Sequence, residues 1–211
     1  MIGEALTAIG VNVSSEIAMK KILPFVKNVI QNYNEKNFSQ GKLQSLLEEY
    51  LSSLYINCNS ITTLVFPQIE LPIEKIYQSM DIEPLTYSSG FFGTEPSSYF
   101  NEIVHDDLKR NLILIDNAGM GKSTFCKYLI LKILQNKLYS KVPIFVELNK
   151  LHQGESLENY ILKTLTKYSG EFNKTLLLKL LEKGFFTFIF DGFDELSKSD
   201  TSTIGIEITH L

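Results

Sequence analysis

The stretch Leu112–Ile130, LILIDNAGMGKSTFCKYLI, decides how this chain is read. A short β-branched run stops at Asp116. A loop of small residues follows, then Lys122, Ser123 and Thr124, then an apolar stretch with helical spacing. "NLILI" reads as a strand, buried on both faces because it is apolar on both. "KSTFCKYLILKILQNK" reads as a helix with Phe125, Leu129, Ile133 and Leu134 along one side. Strand, loop and helix start together suit a polyphosphate. Successive N–H groups of such a loop converge on phosphate oxygens, and Gly119 and Gly121 allow the unusual dihedrals and the close approach. The helix start adds unpaired N–H groups and a positive dipole end. Lys122 reaches the terminal phosphates as a point charge, and the Ser123 hydroxyl is suited to ligate Mg²⁺ beside Thr124.

The candidate nucleotide-binding residues are therefore Asp116, Asn117, Ala118, Gly119, Met120, Gly121, Lys122, Ser123 and Thr124. The usual pattern is G-x-x-x-x-G-K-[ST], and here Asp116 stands in place of the first glycine. Its carboxylate either points away from the loop or weakens binding where phosphate charge gathers. Aspartate tolerates left-handed backbone better than most residues. A glycine-rich turn without a ligand is the plain alternative for the loop alone.

Working outward, the second half alternates. "VPIFVEL" and "FFTFIF" read as strands, and "SLENYILKTLTKY" and "KTLLLKLLEKG" as helices. Strands separated by helices imply crossovers and a parallel sheet. "FFTFIFDGFDEL" then supplies the partner of the loop. Carboxylates at the carboxyl end of a parallel strand lie where open α/β sheets bind ligands. Asp191 is suited to hold Mg²⁺, and Asp194 and Glu195 to orient or deprotonate an attacking water. Alone, such a cluster is as readily a solvated loop or a helix cap.

The first half reads as helical. Ile22, Phe25, Val26, Val29 and Ile30 recur at helix spacing, with Ser14 or Ser15 to cap the start and Pro24 to kink the helix or begin it. Leu43, Leu46, Leu47, Tyr50, Leu51 and Leu54 form a second stripe. Pro67, Pro72, Pro84 and Pro96, with Gly90 and Gly93, then break the pattern into short extended pieces and a linker.

Composition narrows the classes. The 211 residues are 44% hydrophobic with a net charge of −4, which gives no sign of broad capture of nucleic acid or of an anionic membrane. Cys58 and Cys126 stand alone, and His105, His152 and His210 form no cluster with them, so a zinc site and a disulfide framework lack support. No secretory signal and no membrane-length apolar run occurs, and the expected location is the cytoplasm.

The pair "GMGKST" and "FIFDGFDEL" resembles the NACHT group of STAND NTPases, signalling ATPases that include inflammasome receptors and bacterial antiphage proteins. "KVPIFVELNKL", "SLENYILKTL" and the lead into the acidic strand also resemble that group. The resemblance implies an α/β P-loop NTPase with a parallel, incomplete sheet. It implies ATP and Mg²⁺ as ligands, Lys122 on phosphate, Ser123 and Asp191 on the metal, and Asp194 and Glu195 in hydrolysis. It further implies a nucleotide switch in defence signalling, with self-association and an unassigned trigger. The organisation expected is a helical N-terminal domain at 1–86, a lead-in at 87–109 and the N-terminal part of the NACHT domain at 110–211. Complete members continue past the acidic motif, so the chain is expected to be truncated. Two other readings fit the same residues: a nucleotide-binding or interaction module without turnover, and another P-loop ATPase or kinase. The guanine signature of GTPases, Asn/Thr-Lys-x-Asp, is absent.

Overall fold

A computed structural model describes residues 15–32, 40–62, 68, 70–78, 112–136, 139–152, 154–167 and 172–210. Ser14, the proposed linker at 87–109 and His105 lie outside them. Helix α1 spans Ser15–Asn32 and α2 spans Gln40–Asn59. A two-residue antiparallel bridge follows, β1 at Ser60–Ile61 with β2 at Leu71–Pro72, and leads into a single helical turn, α3, at Ile73–Ile76. Then come α4 at Lys122–Gln135, β3 at Val142–Glu147, α5 at Leu157–Thr166, α6 at Lys174–Glu182, β4 at Phe186–Asp191 and α7 at Lys198–Thr209.

Both apolar stripes of the first half are buried as their spacing requires, from Ile22, Phe25 and Val26 on α1 to Leu47 and Leu51 on α2. The alternative start of α1 at Pro24 is not what forms. The helix begins at Ser15 and carries Pro24 inside it. Burial of Ile22, Phe25 and Val26 on either side of the proline outweighs the lost backbone hydrogen bond. The local caps are polar side chains. Ser156 accepts from the Asn159 N–H at 3.3 Å at the start of α5, and Asn173 accepts from Leu176 at 3.0 Å at the start of α6. Gly184, at φ 59°, makes the left-handed turn from α6 into β4.

β3 and β4 pair in parallel, with Val142 opposite Phe186 and Glu147 opposite Asp191. α4 packs on this sheet and also on α1 and α2, so one hydrophobic core runs from the N-terminal helices to the sheet. Polar contacts pin the same junction. The Tyr50 hydroxyl donates to the Pro143 carbonyl at 3.1 Å, and the Asn28 amide donates to the Tyr139 carbonyl at 3.0 Å. The rings of Tyr77 and Tyr128 stack with centroids 4.0 Å apart.

One expectation fails. Residues 112–115 are not in a strand, and the side chains of Leu112, Ile113 and Ile115 are 51%, 82% and 69% exposed. A strand needs a partner, and among the described residues β3 and β4 pair only with each other. In β4 each face contributes a buried side chain, but not every position along it is buried. Phe186 and Ile189 are buried, whereas Phe188 and Phe190 stack on each other half-buried, with centroids 5.9 Å apart.

Candidate functional site

The loop between Ile115 and α4 is held open by two left-handed glycines, Gly119 at φ 83° and Gly121 at φ 90°. A Cβ at Gly119 would meet nothing within 4 Å, so backbone conformation and not crowding demands glycine there. Gly121 is the residue before α4, and its carbonyl accepts the Phe125 N–H at 2.8 Å. Ala118, Gly119 and Met120 lie exposed along the loop. Thr124 is half-buried in the first turn of α4.

Asp116 turns its carboxylate onto its own loop. Its Oδ1 accepts the Asn117 N–H at 2.7 Å. The ammonium of Lys122 also folds inward, donating to the carbonyls of Asp116 at 2.8 Å and Asn117 at 3.0 Å. The same ammonium lies 3.7 Å from the Asp194 carboxylate. The loop thus satisfies its own lysine through two carbonyls that an arriving phosphate has to displace.

The acidic strand end meets this loop. β4 delivers Asp191, whose Oδ1 accepts the Ser123 hydroxyl at 3.0 Å, across 68 residues of sequence. Gly192, at φ 84°, then turns the chain so that Phe193–Glu195 forms a single 3-10 turn. Asp194 and Glu195 project into solvent from that turn. Glu195 is held by Asn149, whose amide donates to Oε2 at 2.9 Å. Asn149 sits in the 3-10 turn Leu148–Lys150 that follows β3. Sequence reading missed it; the available signal was a carboxamide directly after a buried strand in "VELNKL".

Burial decides which nearby groups are reactive. Cys126, on the first turns of α4, is pushed up to about 12 by burial and then by the charge of Asp191. At neutral pH it stays a thiol and is no nucleophile. Among the described residues there is no group of three His, Cys, Asp or Glu able to enclose a metal. The oxygen pair Ser123–Asp191 is of the kind that Mg²⁺ uses, since that ion takes few protein ligands and completes its shell with water and phosphate.

Lys122, Ser123, Asp116, Asn117, Asp191 and Asp194 are therefore brought into one cluster, with Glu195 joined through Asn149 to the neighbouring strand end. No helix among the described residues is long and apolar enough to cross a membrane. No curated protein and no solved structure matches the chain. Residues 110–208 match the family model described as the NACHT domain. That segment is similar to P-loop NTPase domains of NACHT type, and the match points to nucleotide binding.

Proposed function

We propose that the NACHT domain at residues 110–208 binds ATP with Mg²⁺ and hydrolyses it slowly, as the timing step of a signalling switch. One observation carries this reading. The loop hydroxyl of Ser123 and the strand-end carboxylate of Asp191 lie 3.0 Å apart, two hard oxygens beside a phosphate-binding lysine. When bound, Mg²⁺ neutralises charge developing on the transferred phosphoryl group. Lys122 exchanges the carbonyls of Asp116 and Asn117 for phosphate oxygens and holds them as a point charge. Asp194, facing Lys122 when the loop is empty, is released by that exchange. Glu195, oriented by Asn149, accepts the proton of the attacking water. By the family resemblance, the switch serves cytoplasmic defence signalling through self-association.

Binding without turnover is a second reading. It is favoured by the exposure of Asp194 and Glu195, which leaves the acidic turn open to water. Calorimetry and a hydrolysis assay separate the two. Lys122→Ala removes a charge-assisted contact worth about 1.5–3 kcal/mol, so ATP affinity falls about 10- to 150-fold. Glu195→Gln leaves affinity unchanged and lowers turnover by about 10²–10⁴. Equal ATP affinity with and without Lys122 sinks the nucleotide reading. Equal turnover with Glu195→Gln moves the base role to Asp194.

A further inference from the structure

The groups with which the loop would hold a phosphate already have oxygen partners from the same chain. A lysine ammonium has three protons to donate and accepts nothing. In Lys122 two of them go to the Asp116 and Asn117 carbonyls, and the Asp194 carboxylate stands beside the ammonium at 3.7 Å as its counter-ion. The Asn117 N–H goes to Asp116 Oδ1, and the Ser123 hydroxyl to Asp191 Oδ1. An ammonium, a backbone N–H and a hydroxyl are what such a loop offers to phosphate and metal. Each is met here by a carboxylate.

The three carboxylates differ in what a ligand does to them. Asp191 keeps its place beside Ser123, because a metal ion suits that oxygen pair. Asp116 is bound to the next residue of its own loop. Asp194 arrives from the separate turn Phe193–Glu195, and among the described residues its ion pair is with Lys122. A phosphate drawn to the ammonium brings negative charge up against that carboxylate, so the two repel each other. Asp194 is the member that can yield. Its side chain is 62% exposed, against 20% for Lys122, and water takes it up readily. The turn itself stays in place, since Asn149 holds the neighbouring Glu195 at 2.9 Å.

We propose, resting on the reading of this loop as an ATP site, that Asp194 is a latch. It holds Lys122 closed in the empty loop, and a nucleotide enters by displacing it with the charge of its terminal phosphates. The test titrates the whole chain with Mg²⁺ and the non-hydrolysable ATP analogue AMPPNP by calorimetry. Asp194→Asn keeps the shape, removes the charge and is expected to tighten binding about two- to tenfold, the scale of one exposed ion pair and the repulsion that goes with it. Asp194→Glu, which returns a carboxylate to the turn, is expected to lose most of that gain. Glu195→Gln removes the same charge one residue further on, at the carboxylate that Asn149 holds, and is expected to change affinity less than about twofold. Unchanged or weaker binding in Asp194→Asn overturns the latch, and so does an equal gain in Glu195→Gln. If Lys122→Ala still loses affinity in that case, the ATP reading stands without the latch. No binding to the unmodified chain or to any variant overturns both.

Discussion

Leu112–Ile115 and Val142–Val146 are equally apolar runs, and the structure treats them in opposite ways. Val142, Ile144 and Val146 are fully buried, whereas Leu112, Ile113 and Ile115 stand largely in solvent. The difference lies in what surrounds them. β3 has the ladder of β4 on one side, α4 over it, and the Tyr50 hydroxyl on its Pro143 carbonyl. Residues 112–115 have no ladder among the described residues. A strand is a relation between segments, and hydrophobicity alone does not create it.

The sharpest way to break this comparison is to truncate one residue in each run. Ile144→Ala should cost about 2–5 kcal/mol in urea unfolding, the range for truncating a buried isoleucine. Ile113→Ala should change stability by less than about 0.5 kcal/mol. If the two cost the same, residues 112–115 are packed in solution and the contrast disappears. Tyr50→Phe comes next. It leaves the buried Pro143 carbonyl without its donor and should cost about 1–3 kcal/mol. No measurable loss would mean that water replaces the hydroxyl and that the helical pair does not seal β3. A smaller effect is expected at the end of the exposed run. Asp116→Gly removes a carboxylate beside the phosphate loop and should tighten ATP binding by less than about tenfold, or 1.4 kcal/mol. Because the carboxylate already caps the Asn117 N–H, a loss of affinity instead would identify Asp116 as a support of the loop. The smallest change in stability, near zero, is expected for Ile113→Lys. Its readout is reduced light scattering at high concentration, since an exposed apolar strand-former promotes association.

The same contrast explains what was legible in the sequence. The helical stripes were read correctly because their apolar period and their burial share one cause, as Ile22 and Leu47 show. The parallel pairing of the two later strands was legible because "VPIFVEL" and "FFTFIF" flank helical segments. Lys122, Ser123 and Asp191 could be grouped because each residue type has a role at a phosphate. Three matters were out of reach. Whether Asp116 faced the phosphates or its own loop depends on one side-chain rotation. Asn149 acts through a contact 46 residues distant, which no local spacing announces. The way α1 and α2 fuse with α4 into one core is a matter of tertiary packing, and composition around residues 87–109 speaks only of the chain between them.

Pro143 has a consequence for the direction in which the sheet can grow. Val142 turns its N–H to the Phe185 carbonyl at 2.9 Å, so it faces the partner strand. Pro143, one step along, faces the opposite way. It has no N–H to offer, and its carbonyl is already taken by Tyr50. At this position the border of β3 is closed, much as a row of interlocking tiles is interrupted by a smooth piece. An additional strand along that border would find no donor at Pro143, whereas β4 carries no proline along Phe186–Asp191.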